Sequence, residues 1–349
     1  MTRPAERWSA SRARAWDEAR GWRVGCNFTP STASNQLEMW REESFDAETI
    51  ARELGFAADL GFTSVRVFLH DLFWRHDRAG FLERVERFLE IASSRGIGAL
   101  VVLFDGVWDP HPAWGPQPEP RPCVHNSRWV QSPGAELLAD RERHATLAPY
   151  LQGLLDHFRD DPRIDGWDLF NEPDNPNLAY ANNEISDKDG CALALLEAAF
   201  AWAREVAPSQ PLTAGVWRGS WSDAAALSAM DRLCLEQSDV ISFHHYGDLG
   251  ALQHRVEALG RYERPIWCTE WLARSLGSCF DPHLGWMQQA GVGAYCWGLV
   301  AGRTQTHQPW ESWVKSLPLE PDPWHHEILR ADGTPYDEAE VAFIRSLTR

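Results

Sequence analysis

The chain has 349 residues, 44% of them hydrophobic, so it can bury a large core in one domain or two. Its 33 basic and 50 acidic side chains give a formal net charge of −17. Nucleic acids and anionic membranes attract basic surfaces, so this balance argues against either partner. No stretch approaches the roughly 20 apolar residues that cross a membrane.

The N-terminal segment and the cysteines bear on the compartment. Residues 1–20 are predicted to form a lead-in helix or arm, and their charged side chains leave no apolar segment of the kind that export requires. The seven cysteines are an odd set without CxxC spacing, which favours free thiols in a reducing environment. Together these features predict a cytoplasmic protein, and they leave its oligomeric state open.

Short apolar runs alternate with amphipathic segments along the chain, a pattern typical of βα units around a parallel sheet. Strands are predicted at 22–27, 63–69, 98–104, 164–170, 211–216, 238–243, 265–269 and 292–297. Helices are predicted at 46–60, 81–94, 136–158, 192–206, 222–237, 249–259, 282–290 and 336–347. This alternation predicts an α/β fold, namely a single (β/α)8 TIM barrel over residues 1–349 with active groups where strands end and loops begin.

Three connections are longer than a plain barrel needs, at 105–135, 173–190 and 298–335. Long loops on a compact scaffold are usually functional, so we interpret these as the walls of a cleft. The first is rich in proline and tryptophan, and the whole chain has 19 tryptophans. Aromatic faces stack on sugar rings, although a tryptophan-rich core is the alternative for any one of them.

Two glutamates stand where predicted strands end. The apolar run from Ile164 leads into Asn171, Glu172 and Pro173, and the proline cannot continue a strand ladder. A second run, 265–269, stops at Glu270. Each glutamate alone could be a solvated or helix-capping carboxylate. Two of them at the same end of a barrel instead indicate paired-carboxylate chemistry, in which one group is a nucleophile and the other a proton donor.

These motifs, in this order along the chain, resemble the clan A glycoside hydrolases, and most closely the cellulase-like proteins of glycoside hydrolase family 5. The match to Asn-Glu-Pro implies that Glu172 is the acid/base and that Asn171 donates a hydrogen bond to the sugar 2-hydroxyl. Glu270, ending the seventh strand, matches the nucleophile. The resemblance implies a retaining two-step hydrolysis of a β-linked oligosaccharide or glycoside.

The resemblance also implies supporting residues. Arg66 would hold the nucleophile ionised, Tyr246 of the His-His-Tyr motif would bond it, and Trp297 would be a platform beneath the sugar. Strand alternation aims only one of the two histidines into the barrel, and we predict that this residue is His244 rather than His245.

The sequence departs from the family after the second and third strands, where Asp105 replaces a frequent histidine and His70-Asp71 offers another sugar contact. The residues that flank Glu270 also differ from the commoner pattern. The substrate is therefore less defined than the chemistry. Residues predicted to contact the sugar at further subsites are Trp40, His70, Asp71, Asp105 and Trp108.

The predicted partner is a carbohydrate, and no cofactor or metal is expected. The adjacent histidines of His325-His326-Glu327 lack the i, i+4 spacing that places two ligands on one helix face. A retaining β-glycosidase is the leading hypothesis, and loops 105–135 and 298–335 could close one end of the cleft for exo action. The alternatives are a transglycosylase, a non-catalytic saccharide-binding barrel and a metal-dependent hydrolase. Sugar identity and linkage stay open.

Overall fold

The computed structural model describes residues 6–349, so the first five residues of the predicted lead-in segment lie outside it. Eight strands form one parallel sheet in the order β5-β4-β3-β2-β1-β8-β7-β6. Strands β1 to β8 are Val24–Asn27, Ser64–Phe68, Gly98–Asp105, Ile164–Asn171, Leu212–Thr213, Ile241–His244, Ile266–Trp271 and Gly293–Trp297.

The edges of the sheet, β5 and β6, meet and close it. Val216 forms a parallel bridge with Phe243, and the hydroxyls of Thr213 and Ser242 lie 2.7 Å apart. The result is a (β/α)8 barrel, which confirms the predicted fold class. Parallel strands place all their carboxyl ends at one rim, so residues that end different strands converge there.

Twelve α-helices surround the barrel in the described part of the chain. Helices α1 to α12 are Ala10–Arg20, Gln36–Trp40, Ala47–Asp59, Leu72–His76, Arg78–Ser93, Ala135–Ala139, Ala148–His157, Lys188–Val206, Ala229–Gln237, Leu249–Gly260, Phe280–Gln289 and Glu338–Thr348. Short 3₁₀ helices are Glu42–Ser44, Arg141–Leu147, Leu178–Tyr180, Ala224–Ala226, Arg274–Leu276 and Trp310–Trp313. None of these helices is long and apolar enough to span a membrane.

Two predicted helices differ from the structure. The helix predicted at 136–158 is divided into α6, a 3₁₀ turn and α7, and α7 begins beside a proline at its first turn, where the missing N–H leaves no hydrogen bond unmade. The helix predicted at 222–237 begins only at Ala229. Ser228 and Asp231 form a capping box there, which satisfies the first free N–H groups and sets the start.

The barrel interior is apolar at the bottom and polar at the top. Leu100, Val240, Trp267 and Tyr295 fill the lower part, and α1 covers it, with the indole of Trp267 donating to Asp17 at 2.9 Å. Charged side chains are buried at the carboxyl ends of the strands instead. All seven cysteines are free, as predicted.

Candidate active site

A cavity of about 470 Å³ opens at the carboxyl ends of the strands. Glu172 and Glu270, the two glutamates singled out by the sequence, both line it, although Glu172 follows β4 and Glu270 lies near the end of β7. Most of the remaining lining comes from the three long loops. Six tryptophans contribute to it: Trp108, Trp129, Trp217, Trp297, Trp310 and Trp313.

The backbone holds Glu172 in an unusual conformation. Its φ angle is +41°, in the left-handed region that costs a residue with a side chain free energy, and such residues cluster at functional sites. Gly106, after β3, passes so close that a Cβ there would lie 2.4 Å from the Glu172 carbonyl oxygen. Only glycine fits at this crossing, because any side chain would collide with the Glu172 backbone.

The two glutamates lie side by side with a histidine between them. The Nδ1 atom of His244 is 2.7 Å from Glu172 Oε1 and 3.5 Å from Glu270 Oε2. One ligand atom from each of the three residues lies within 4.8 Å of the other two. Carboxyl groups of retaining glycosidases stand about 5 to 5.5 Å apart and those of inverting enzymes about 6.5 to 9.5 Å apart. The close pair therefore fits the retaining geometry.

Glu270 accepts hydrogen bonds from two donors that stabilise an ionised carboxylate. The Arg66 guanidinium donates to Oε1 at 2.8 Å, and the Tyr246 hydroxyl donates to Oε2 at 2.7 Å. Glu172 lacks a direct bond to a cation and accepts instead from the neutral amide of Asn175 at 2.5 Å. A charged donor stabilises an ionised acceptor more strongly than a neutral one does. When the two glutamates share one proton, that proton is therefore favoured on Glu172.

Arg66 is fully buried and satisfies its donors on four acceptors. Besides Glu270 it bonds Asp168 Oδ2 at 2.8 Å, Asn171 Oδ1 at 2.7 Å and Asn27 Oδ1 at 2.9 Å. Burial alone would lower the pKa of Arg66, but the carboxylates of Asp168 and Glu270 outweigh it and raise that pKa. The guanidinium is a permanent cation that fixes both the nucleophile candidate and the neighbouring amide.

Burial raises the pKa values of both carboxyl groups above the usual value for glutamate. Desolvation raises the pKa of Glu172 to about 7, with the Asn175 hydrogen bond and the charge of Arg66 opposing the shift. Burial also raises the pKa of Glu270, and the coulombic effect of Glu172 adds to it, whereas Arg66 and the Tyr246 hydroxyl oppose it. A carboxyl that keeps its proton near neutral pH is what a general acid requires.

His244 is neutral at neutral pH because burial lowers its pKa to about 4. Its Nδ1 can therefore donate to an ionised Glu172 or accept from a protonated one, depending on the tautomer. The contact accommodates both protonation states of Glu172. His245 points elsewhere, and its Nε2 lies 3.0 Å from the Asp248 carbonyl oxygen.

Asn171 lines the cavity, whereas Asp105 does not. The Asn171 amide donates to Asp105 Oδ1 at 3.0 Å, and the indole of Trp129 donates to Asp105 Oδ2 at 2.6 Å. Burial raises the pKa of Asp105 to about 6. The predicted sugar contact at Asp105 is therefore corrected to a positioning role beneath Asn171 and Trp129.

Three other predicted sugar contacts lie outside the cavity. Trp40 is fully buried in the core, with its indole donating to the Phe68 carbonyl at 2.7 Å. His70 is also fully buried, and its Nδ1 accepts from the backbone of Leu72 at 3.2 Å. Asp71 accepts from the Ser132 hydroxyl at 2.8 Å. These side chains are corrected to structural roles, because the protein already surrounds them.

Aromatic side chains form the cavity walls. Trp297 ends β8 and packs edge-on against Phe68 and Trp129, with ring centroids 5.8 and 6.1 Å away. Trp108 stacks on Trp313 at 5.3 Å, which joins loop 105–135 to loop 298–335. Two of the three loops predicted to be cleft walls therefore contact each other at the cavity.

Several site residues were missed in the sequence. Asp168, on β4, accepts hydrogen bonds from the buried Arg66. Asn175 lies just beyond the Asn-Glu-Pro turn, and its closeness to Glu172 in the sequence was the only signal that it belongs to the site. His326, considered only as a metal ligand, lines the cavity. Nothing local distinguishes it, since its position depends on a long loop.

Comparison with known proteins concerns the same part of the chain. Residues 169–299, which include both glutamates, match the family model described as glycosyl hydrolase catalytic core. No curated protein sequence matches the chain.

Solved structures share the barrel at low sequence identity. A GH5_18 variant from Streptomyces cattleya, in complex with Manβ1-4GlcNAc, is 17% identical with a TM-score of 0.61, over 94% of this chain and 80% of that one. The exo-β-1,4-mannosidase Op5Man5 from Opitutaceae bacterium strain TAV5 is 21% identical with a TM-score of 0.62, over 94% and 60%. A β-1,4-mannanase from the sea hare Aplysia kurodai is 17% identical with a TM-score of 0.56, over 79% and 88%.

The family match covers the stretch from the end of β4 to β8. The solved structures contribute the shared fold. Together they support the predicted resemblance: residues 169–299 match a glycosyl hydrolase catalytic core, and the solved structures share the barrel fold of the whole chain.

Proposed function

We propose that the protein is a retaining β-glycoside hydrolase that works by double displacement. The observation that carries this proposal is the asymmetric pair of carboxyl groups. Glu270 is bonded to a buried guanidinium and a phenol, whereas burial raises the pKa of Glu172 to about 7. One group is prepared to attack as an anion and the other to give a proton.

In the first step Glu270 attacks the anomeric carbon while Glu172 protonates the departing oxygen. The C–O bond to the leaving group breaks, and a glycosyl ester forms on Glu270. Asn171, held by Arg66 and Asp105, presents its amide at the cavity floor, where it can bond the sugar 2-hydroxyl. Trp297 supplies the apolar face beneath the ring.

In the second step Glu172, now ionised, removes a proton from water. The water attacks the anomeric carbon and breaks the ester, so that the sugar leaves with net retention and both carboxyl groups return to their starting state. His244 contacts Glu172 throughout. Because its ring is neutral, it can follow the change in protonation of Glu172 without becoming charged.

Exo action is part of the proposal. Loops 105–135 and 298–335 bond each other through the Asn126 N–H and the Thr304 carbonyl at 2.8 Å, and through the Trp313 indole and the His125 carbonyl at 2.8 Å. This junction supports a cavity closed on one side. End-labelled oligosaccharides test it, because exo action releases single sugars from one end only, and internal cleavage would contradict it.

The central experiment uses a panel of aryl β-glycosides, beginning with mannoside, glucoside and N-acetylglucosaminide. Wild type and Glu270→Ala are compared, with azide added to the variant. We expect the variant to lose activity by about 10⁴-fold or more, as for loss of a nucleophile elsewhere. Azide should then restore turnover with an α-glycosyl azide as product. Retention of most activity by Glu270→Ala would overturn the assignment.

A metal-dependent hydrolase is the second candidate, because Glu172, His244 and Glu270 could together offer three ligand atoms. The charge of Arg66, 2.8 Å from Glu270, opposes a cation at that position. Full activity after treatment with a chelator would remove this candidate.

A further inference from the structure

The mouth of the cavity carries two exposed apolar side chains. Leu178 is 83% exposed and Val314 is 84% exposed, yet both line the cavity. Single exposed apolar residues are common on protein surfaces. These two come from different long loops, however, and the contact of Tyr180 with Trp313 at 5.2 Å holds those loops together. Leu178 and Val314 therefore belong to one apolar rim.

The rim lies on the side of the acid/base. The segment 173–179 follows Glu172 directly, and its Asn175 bonds Glu172 Oε2. A general acid must stand beside the oxygen that it protonates, so this segment borders the leaving group. This step rests on the proposed function. Trp297, the proposed sugar platform, packs instead against Phe68 and Trp129.

The amide side chains of segment 173–179 that line the cavity already have hydrogen-bond partners within the protein. Asn175 donates to Glu172 and accepts from the Asn177 N–H at 2.7 Å. Asn177 accepts from the Trp108 N–H at 3.0 Å and donates to Glu184 at 3.1 Å. Beyond these bonded amides, what segment 173–179 presents to the cavity is apolar: Pro176, Leu178 and Ala179.

We propose that the leaving-group site binds a hydrophobic aglycone, an alkyl or aryl group linked to the sugar, in preference to a second sugar. A sugar in this position would lose water from its hydroxyls and find few free partners, which costs free energy. An alkyl chain that contacts Leu178 and Val314 would instead remove apolar surface from water.

The test compares ethyl, butyl and hexyl β-glycosides of the sugar that the aryl panel selects. Their alcohols have nearly equal acidity, so bond breaking is equally demanding and differences report binding. A fully buried methylene contributes up to about a fourfold gain in affinity. We expect kcat/KM to rise by about tenfold or more from ethyl to hexyl. The disaccharide of the same sugar should rank below the hexyl glycoside.

The variants Leu178→Asn and Val314→Asn should each lower the hexyl-to-ethyl ratio, and the double variant should bring it to within about threefold of unity. Far-UV circular dichroism and thermal unfolding like those of the wild type should show that the variants are folded. Leu276→Asn is the matched control. Leu276 is 51% exposed and lies outside the cavity lining, so its substitution should leave the ratio unchanged.

Three results would overturn the inference: a wild-type ratio near one, a disaccharide that outranks the hexyl glycoside, or a Leu276→Asn variant that lowers the ratio as much as Leu178→Asn. In each case the enzyme still cleaves short glycosides through Glu270. Failure of the proposed function would differ, because no glycoside in the panel would then be cleaved in a Glu270-dependent way.

Discussion

The floor and the walls of the cavity are built in opposite ways. The floor consists of Arg66, Asp168, Glu172, His244 and Glu270, all buried and joined by hydrogen bonds. The walls come from the long loops, and most of their lining side chains are aromatic or apolar. Their rim includes side chains more than 80% exposed, at Leu178 and Val314.

This difference suggests that the floor carries the chemistry and that the walls determine substrate binding. Groups at the ends of barrel strands are held rigidly and share one low-dielectric volume, where each charge strongly affects the others. Loops contact the substrate over a larger surface and are free to vary without disturbing those charges. We therefore expect floor variants to change kcat and wall variants to change KM and substrate preference.

Replacing Arg66 by methionine should lower both the stability and the activity of the protein. The change would leave the buried Asp168 and Glu270 carboxylates without their cation, which costs about 3 to 5 kcal/mol of stability. Activity should fall by about 10³-fold, because Glu270 loses its strongest donor. Denaturant unfolding and kcat/KM check the two effects. An active variant of wild-type stability would contradict the role of Arg66. Arg87→Met, which removes an exposed ion pair, is the control.

Glu172→Gln should depend on the leaving group. Alkyl glycosides need protonation, so their kcat/KM should fall by about 10²-fold or more, whereas a dinitrophenyl glycoside should be affected much less in its first step. Equal losses for both substrates would argue that Glu172 does not protonate the leaving oxygen.

The same residue predicts a pH dependence. A general acid works in its protonated form, and burial raises the pKa of Glu172 to about 7. The kcat/KM of the wild type should therefore decline as pH rises through about 7. In Glu172→Gln this alkaline limb should be absent. A limb that persists in the variant would belong to another group.

Trp313→Ala tests the walls. The change removes the stacking partner of Trp108 and the contact with Tyr180. We expect KM to rise by about tenfold with kcat within about twofold, as for loss of one aromatic contact. Trp114→Ala is the matched control, since Trp114 lies on loop 105–135 but outside the cavity lining. A large fall in kcat would break the division between floor and walls.

The smallest expected effect is that of a chelator. Every step proposed for the floor uses protein groups and water alone, so prolonged treatment with EDTA should leave kcat/KM unchanged. Loss of activity that a divalent cation restores would show that the cluster of Glu172, His244 and Glu270 acts as a metal site.

Sequence patterns predicted the residues of the cavity floor better than those of its walls. Glu172 and Glu270 were found because each stands where an apolar run stops, and the family resemblance added Arg66 and Tyr246. Among the predicted sugar contacts, Trp108 does line the cavity. Trp40, His70, Asp71 and Asp105 do not, because being near a strand end does not say which side chains neighbours will cover.

The sequence by itself determined the eight strands, most of the helices and therefore the rim at which the two glutamates meet. Periodicity and strand ends are local properties, and a parallel barrel converts them into a shared edge. Only the tertiary structure decided the partners and the pKa values. Arg66 bonds a glutamate 204 positions away, and the burial that raises the pKa of Glu172 comes from several elements at once. Such contacts depend on packing between distant segments, which no local pattern specifies.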